Sequence, residues 1–336
     1  MSQPHAFALK TLSLGILVLL SVAAIAQAPA SAPPPVTVPP AAAPAAGIPA
    51  PPVAPRPFNV VIKDAKEIPG LFTLFEKDDK VWIEIKPEQF NQPFLFSANL
   101  SHGIGEQWLY GGMMGYNGFL GSNAIGTFRK AGNQVQLLAK NVTYSAKVGS
   151  REARAVEQGF SDSLMASAAV VSLPHPERKS VLIEANALLL TDIPSGNAFL
   201  ERAFRQPYAF DARNSNIVKA RSVAEETNIN VRAHYALARV SLPPVVPGPT
   251  PFTPPPRTLQ DIRSLFLGWQ YNFARLPEQP MTPRRADARV GYFMSNQWDF
   301  TGDSARTPQV QYVTRWRLEK KEPTAALSEP KKPIIF

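Results

Sequence analysis

Short apolar segments with the two-residue period of a β-strand recur through most of this chain of 336 residues. The longest lies in residues 227–240, where every second residue from Ile229 to Leu237 is apolar and most residues between them are polar. Successive side chains of a strand point to opposite faces of a sheet, so this pattern predicts a strand with one buried face. The sequence therefore favours a fold built mainly from strands.

Two further segments have the pattern of a β-hairpin. Residues 71–85, LFTLFEKDDKVWIEI, place apolar runs on both sides of a charged turn. Residues 125–140, IGTFRKAGNQVQLLAK, place Gly132-Asn133 between two apolar runs, and this pair of residues favours a tight turn. Both segments predict neighbouring antiparallel strands.

Other apolar runs predict further strands, whereas helical patterns are scarce. The remaining strand segments are FNVVIK (58–63), FLFSANL (94–100), SVLIEANALLLTDI (180–193, one long strand or a pair), SLFLGWQYNF (264–273), ARVGYFMSNQWDF (288–300) and VQYVTRWRL (310–318). Helices are predicted at 151–158 and at 195–204, where Ser195 is a candidate N-cap. The predicted fold class is mainly β or α+β, with antiparallel β-rich domains and few short helices.

The first 26 residues have the composition of a signal peptide. Lys10 precedes an apolar run from Leu12 to Ala26, and Ala24-Ile25-Ala26 fits the small-x-small pattern of a cleavage site. The run is shorter than the roughly 18 apolar residues that a spanning helix requires, which makes an uncleaved membrane anchor the weaker alternative. We expect an exported protein, in the periplasm, the outer envelope or outside the cell, with no stable membrane span after cleavage.

A Pro/Ala-rich segment follows at 27–57, with 12 prolines from residue 28 onward. Such a tract favours extended polyproline conformations and cannot bury a core, so we interpret it as a semi-rigid linker. A docking site for a proline-recognising partner is the alternative. Beyond it we predict a small N-terminal β domain (58–110), a β-rich domain (111–322) that contains a second proline-rich tract at 243–256, and a junction segment (323–336).

Composition limits the chemistry and the partners of the chain. Cysteine is absent, which excludes disulfides, a lipid-modified cysteine and thiolate catalysis. The formal net charge is +9, but export argues against a nucleic acid as the partner. A basic surface outside the cytoplasm agrees better with solubility or with an envelope-facing role.

Residues able to bind a metal or to act as a nucleophile form no local motif. His102, His175 and His234 lie far apart, and the chain has no His-Glu-x-x-His. Ser101 is followed by His102, but neighbours on a regular strand face opposite sides, and no Gly-x-Ser-x-Gly elbow occurs. We assign no catalytic, cofactor-binding or metal-binding residue, and leave open a hydrolase site assembled from distant residues that include His102.

A glycine-rich stretch at 103–126 is the first candidate for ligand binding. It holds eight glycines but lacks the Gly-Lys-Ser/Thr ending of a phosphate loop and the glycine spacing of a dinucleotide site. Its aromatic residues, Trp108, Tyr110, Tyr116 and Phe119, suit either core packing or the binding of a peptide or glycan.

A basic and aromatic stretch near the C-terminus is the second candidate. Arg315 and Arg317 flank Trp316, which is a pattern found in ligand-binding patches. Strand alternation offers a simpler interpretation, with the two arginines on one face and Trp316 on the other.

Four segments together resemble the N-terminal region of a family of large bacterial zinc-dependent metalloproteases with metzincin-like catalytic domains. These segments are GLFTLFEKDDKVWIEI, ANLSHGIGEQW, ARVGYF and VTRWRLEKKEPTAALSEPKKPIIF, and the resemblance covers about residues 58–336. In that family, two adjoining domains of unknown function precede the protease domain.

The resemblance implies that SEPKKPIIF is the junction to a catalytic domain whose zinc-binding His-Glu-x-x-His helix is missing from this chain. No catalytic residue of the family has a matching position here, so zinc is expected only in that domain. The implied function is the non-catalytic N-terminal region of an exported protease, inactive alone, with the catalytic domain as its partner in cis or in trans. An independent, secreted, β-rich module that binds peptides or glycans is the alternative.

Overall fold

The computed structural model describes residues 54–112, 123–241, 255–302 and 306–333. The signal peptide, all but the end of the 27–57 linker, Tyr116, Phe119, most of the tract at 243–256 and Ile334–Phe336 lie outside these ranges. The interpretations of those residues therefore stay predictions.

The described residues contain fourteen strands and four short helices, which confirms a mainly β fold. The helices are α1 (Phe58–Val61), α2 (Arg151–Gly159), α3 (Ala185–Leu189) and α4 (Gly196–Phe204). The strands are β1 (Lys66–Ile68), β2 (Thr73–Lys77), β3 (Lys80–Ile85), β4 (Phe94–His102), β5 (Ala124–Ala131), β6 (Gln134–Ala139), β7 (Tyr144–Ser145), β8 (Ser163–Ala169), β9 (Val181–Glu184), β10 (Ala209–Val223), β11 (Glu226–Ala236), β12 (Ser264–Arg275), β13 (Met294–Asp299) and β14 (Gln309–Val313).

A seven-stranded antiparallel sheet forms the main framework, in the order β10-β11-β12-β4-β5-β6-β8. Its strand β11 buries the predicted face, including Ile229, Val231 and Tyr235. The two predicted hairpins are confirmed as β2-β3 and β5-β6, and Gly132 takes the positive φ that the second turn requires. The opposite face of the central strands carries polar side chains.

A four-stranded sheet, β1-β2-β3-β9, packs between the large sheet and helix α1. Leu74 and Ile83 belong to the main core, whereas Phe75 and Trp82 meet α1 on the other face. The predicted strand at 58–63 is wrong, because Phe58 and Val61 lie three residues apart on one helical face and are both buried. This turn of helix covers the outer face of the small sheet.

Five phenylalanines fill the centre of the main core. Phe273 on β12 lies with its ring centroid 5.2 to 6.0 Å from those of four others, all of them buried: Phe72, Phe94, Phe96 and Phe128. The strands of the predicted small domain and those of the larger one therefore share this cluster.

Strands from both sides of the predicted boundary at residue 110 belong to one sheet. Strand β4, from the N-terminal side of that boundary, lies between β12 and β5 in one continuous sheet. The described residues belong to a single compact unit. Backbone hydrogen bonds therefore join the two predicted parts.

Three other predictions need correction. The segment 180–193 bends from β9 into helix α3, whose Leu188 and Leu189 are both fully buried. Ser195 does not cap α4 with its side chain; the carboxylate of Asp192 accepts instead from the backbone N–H groups of Gly196 and Asn197, at 2.7 and 2.9 Å. Strand β14 ends at Val313, before the predicted end at 318.

A three-stranded sheet, β14-β13-β7, completes the described elements. None of the helices in the described ranges is long and apolar enough to cross a membrane.

Candidate functional site

An open groove of about 570 Å³ lies on the polar face of the large sheet, where β4 and β12 meet. Its apolar walls include Val218, Leu259 and Phe266. Its polar lining consists of Ser101, His102, Asn230, Arg232 and Ser264. Apolar walls and several different polar groups meet in this groove, which makes it the candidate functional site.

A β-bulge shapes one end of the groove. Gly268 pairs with His102 and Trp269 pairs with Leu100, so Ser101 is left without a partner on β12. Both Ser101 and His102 consequently line the groove, and the expectation that they face opposite sides is wrong at this point. The sequence contains no signal for the bulge other than the glycine on the facing strand.

Gly268 allows the two strands to approach at the bulge. A Cβ at this position would lie 2.7 Å from the Cβ of His102 and 2.8 Å from the Oγ of Ser101. Real side chains do not tolerate such distances, and the backbone N of His102 at 3.0 Å leaves little room for adjustment. Glycine is therefore required here by close packing rather than by an unusual φ angle.

Three neighbouring strands place a carboxylate, an imidazole and a hydroxyl in one hydrogen-bonded chain beside the groove. Asp211 on β10 lies opposite His234 on β11, and its Oδ2 is 2.9 Å from Nδ1 of the ring. The Nε2 of His234 is 2.8 Å from the Oγ of Ser264, the first residue of β12. Ser264 is exposed and lines the groove, while His234 is buried.

The hydrogen bonds around Asp211 determine the tautomer of His234. Its carboxylate accepts from Nδ2 of Asn214 at 2.6 Å and from the backbone N–H of Arg213 at 3.1 Å. The hydrogen bonds from Asn214 and His234 hold the pKa of Asp211 below its ordinary value, so the carboxylate is ionised at neutral pH. An ionised carboxylate only accepts, hence Nδ1 of His234 donates and Nε2 of the neutral ring accepts from the Ser264 hydroxyl.

This arrangement has a definite chemical capacity. A neutral imidazole whose Nε2 accepts from a serine hydroxyl can remove the proton of that hydroxyl when it attacks a carbonyl carbon. A carboxylate on the other ring nitrogen holds the ring in place and stabilises the imidazolium that forms. No zinc or other ion is needed for this step.

Arg232 gives the groove a positive charge. Its guanidinium carbon lies 4.1 Å from the centroid of the Phe266 ring, a cation–π contact on the same face as Ser264. Among the ion pairs of the described residues, none involves Arg232. The groove therefore suits a ligand with an apolar part and an electron-rich oxygen.

The loop that carries Trp108 is fastened to a segment that borders the groove. Oε1 of Glu106 accepts from the backbone N–H groups of Arg257 and Thr258, at 2.8 and 3.1 Å, just before Leu259. Trp108 has a φ of 66° and Gln107 a φ of 50°, conformations that non-glycine residues seldom adopt. Trp108 is 70% exposed, so core packing, one of the two interpretations offered by the sequence, does not hold for this ring, and its tight turn presents it to solvent.

The three predicted histidines do not come together. His234 belongs to the chain with Asp211 and Ser264, and His102 lines the groove. His175 lies against the ring of Phe58, and its Nδ1 accepts from the backbone N–H of Glu177 at 3.2 Å. Within the described residues no group of three potential ligands could hold a metal ion.

The arginines around Trp316 have a structural role. Arg315 donates to the carbonyl of Thr282 at 2.9 Å, and Arg317 donates to the carbonyl of Gln279 at 2.7 Å. These bonds fix the backbone on both sides of Trp316, which is 73% exposed. The prediction that residues 315–317 lie on a strand is wrong, because β14 ends at Val313. The exposed ring of Trp316 nevertheless remains available for contacts.

Comparison with protein families gives two matches. A family described as Domain of unknown function (DUF5117) matches residues 118–321. The chain belongs to this family. A second family, Domain of unknown function (DUF5118), matches residues 55–103. This region contributes β4, with Ser101 and His102, to the groove. The DUF5117 region contributes the hydrogen-bonded residues Asp211, His234 and Ser264. No curated protein and no solved structure matches the chain.

Proposed function

We propose that this DUF5118–DUF5117 chain is the N-terminal region of an exported zinc-dependent metalloprotease and is non-catalytic in its proteolysis. It supports a catalytic domain, supplied in cis or in trans, that carries the zinc site. The resemblance of four segments to such proteases motivates the proposal, and the adjoining pair of domains of unknown function agrees with the organisation that the resemblance implies.

One observation carries the proposal: the described residues after β12 have almost no core of their own. From residue 276 onward, Val310 is the single hydrophobic side chain among them that is buried. Seven of the sixteen exposed large hydrophobic side chains of the described chain lie in this part: Val290, Tyr292, Phe293, Met294, Trp316, Leu318 and Leu327. Exposed apolar side chains beside so small a core support a surface that another domain covers.

The geometry around Trp316 fits a contact of this kind. Its neighbours Arg315 and Arg317 are bonded to backbone carbonyls, so the indole is held outward on a backbone that is already ordered. An ordered aromatic side chain loses little conformational entropy on binding, and tryptophan is enriched among residues that dominate interfaces. We expect Trp316 to lie near the centre of the contact.

The test starts from the coding DNA that follows the codon of Phe336, read in all three frames for His-Glu-x-x-His. The domain encoded there, or failing that a zinc-protease domain with this motif from the same genome, is purified and titrated against the chain by calorimetry. We expect binding, together with slower hydrogen exchange in residues 290–327. If no such domain binds, the proposal is wrong.

Trp316→Ser should weaken this binding by about 30-fold, since loss of a central aromatic contact costs about 2 kcal/mol. Trp108→Ser is the matched control, because Trp108 is similarly exposed at 70% but belongs to another part of the fold. Equal losses in the two variants would contradict a contact centred on Trp316.

A second candidate function is the binding of peptides or glycans by the loop of Trp108, which is fastened to a segment beside the groove. The loop of Trp108, with its two positive φ angles and its Glu106 anchor, favours it, because strained loops are concentrated at functional sites. Envelope peptides and glycan fragments would then change the tryptophan fluorescence of the protein.

We expect Trp108→Ala to reduce the affinity for such a ligand by at least about tenfold, since stacking on the exposed indole would supply much of the contact. Fluorescence titration measures the change, and Trp316→Ala serves as the matched variant that should bind normally. Unchanged binding by Trp108→Ala would remove the basis of this second candidate.

A further inference from the structure

We propose that Asp211, His234 and Ser264 form a hydrolytic site, with Ser264 as the nucleophile and short-chain carboxylic esters as the substrate class. The inference does not rest on the proposed function, because it concerns the groove and not the apolar surface after β12. It adds an activity of the chain itself, separate from any zinc-dependent activity of a partner domain.

The backbone around Ser264 holds its hydroxyl in a fixed position. Ser264 is the first residue of β12, and its backbone N–H donates to the carbonyl of Asp261 at 3.2 Å across a tight turn. The backbone N–H of Leu237 donates to the carbonyl of Arg263 at 2.8 Å, which fixes the residue before it. The hydroxyl therefore stands at the end of an ordered strand, exposed to the groove and bonded to His234.

Each of the three hydrogen-bonded residues, Asp211, His234 and Ser264, is held by a strand of its own. Asp211 and His234 are direct partners in the pairing of β10 with β11. On β12, Ser264 pairs with Ala236, two residues from His234 on the same face of the sheet. Distances of 2.9 and 2.8 Å are those of a formed hydrogen-bond chain, so no rearrangement is needed before reaction.

A substrate in the groove would meet an apolar wall and a positive charge. Phe266, two residues after Ser264, lies on the same face and forms an apolar wall with Val218 and Leu259. The guanidinium of Arg232 lies over the Phe266 ring at 4.1 Å. We assign the apolar wall to the acyl group, and Arg232 to the negative charge that develops on the carbonyl oxygen.

The reaction balances with water as the co-reactant. The Oγ of Ser264 forms a bond to the carbonyl carbon while its proton passes to Nε2 of His234. The bond from that carbon to the alkoxy oxygen breaks, and the leaving oxygen takes the proton from Nε2 as the alcohol departs. Water then attacks the acyl-serine, gives a proton to Nε2, and the release of the carboxylic acid returns that proton to Oγ.

The test uses the whole chain with two probes, a fluorophosphonate that labels activated serines and p-nitrophenyl acetate. We expect the fluorophosphonate to be attached to Ser264, as located by mass spectrometry of the digested protein. Ser264→Ala and His234→Gln should lose the label and reduce ester turnover by at least about 100-fold. Ser295→Ala, which removes an exposed serine of β13, is the control and should react as the wild type does.

Asp211 is a positioning residue and needs a readout of its own. Asp211→Asn should lower kcat by at least about 100-fold with little change in KM, because an amide does not stabilise the correct tautomer or the imidazolium. Asp211→Glu should recover part of kcat. A purely structural role would instead change the thermal unfolding temperature of Asp211→Asn and Ser264→Ala without any effect on turnover.

Two results would overturn the proposal. One is the absence of a label on Ser264 in folded wild-type protein. The other is a Ser264→Ala variant that folds normally and is labelled, or turns over the ester, as fast as the wild type.

Discussion

Phe273→Ala is expected to lower the free energy of unfolding by about 3 to 5 kcal/mol, the range for deleting a buried aromatic ring. Phe273 is fully buried, and its ring lies between 5.2 and 6.0 Å from four other phenylalanine rings. Its removal leaves a cavity bounded by side chains of several strands, which cannot collapse together. Urea-induced unfolding, followed by tryptophan fluorescence, measures the loss.

Phe293→Ala is the matched control for this variant, because the Phe293 ring is 80% exposed. We expect it to change stability by less than about 0.5 kcal/mol in the isolated chain. Because Phe72, Phe94 and Phe96 come from the DUF5118 side and Phe273 from the DUF5117 region, unfolding should remain a single transition. Two separate transitions, only one of them shifted by Phe273→Ala, would contradict a shared core.

Arg178→Met is expected to cost about 3 kcal/mol at neutral pH, through the carboxylate that it leaves behind. The side chain of Glu84 is 2% exposed, and its Oε1 accepts from Nε of Arg178 at 2.8 Å and from the hydroxyl of Ser180. Removing one partner of a buried pair costs about 3 to 5 kcal/mol. Arg178 is itself 42% exposed, which places this pair at the lower end.

A double-mutant cycle separates the pair from its surroundings. Glu84→Gln removes the buried charge, so Arg178→Met should cost much less in that background than in the wild type. Arg289→Met is the surface control: its pair with Asp287 is short at 2.6 Å, but the Arg289 side chain is 87% exposed. Little or no loss of stability is expected there, because solvent screens the pair. Similar losses for both arginines would contradict the role given to burial.

The central strands of the seven-stranded sheet could be predicted from the sequence, whereas its two edge strands could not. The segments of β4, β11 and β12 show clear apolar patterns, because one face of each is buried over its whole length. Strands β8 and β10 were missed, and they are the two edges of the seven-stranded sheet. Strand β10 is largely exposed and interrupted by register shifts, and β8 is rich in small residues, so neither shows a regular alternation.

The candidate site could not be predicted for a related reason. His234 is 23 residues from Asp211 and 30 from Ser264 along the chain, so no local motif links them. Asp211, His234 and Ser264 come together through the register of three strands. One of these strands, β10, has no regular alternation of apolar and polar residues. The histidine was singled out by its residue type, but its partners required the hydrogen-bond pairing of β10, β11 and β12.

The position of β12 in the sheet has a consequence for how the chain reaches its fold. This strand lies between β11 and β4, and its Asn272 donates to Ser97, 175 residues earlier. During synthesis, one edge of β4 therefore stays unpaired until about three quarters of the DUF5117 region has emerged. Pairing over such a distance is slow, because closing a long loop costs entropy before any contact forms. The unpaired edge of β4 can meanwhile pair with other chains and cause aggregation. A chaperone that keeps the nascent chain unfolded would therefore favour correct folding.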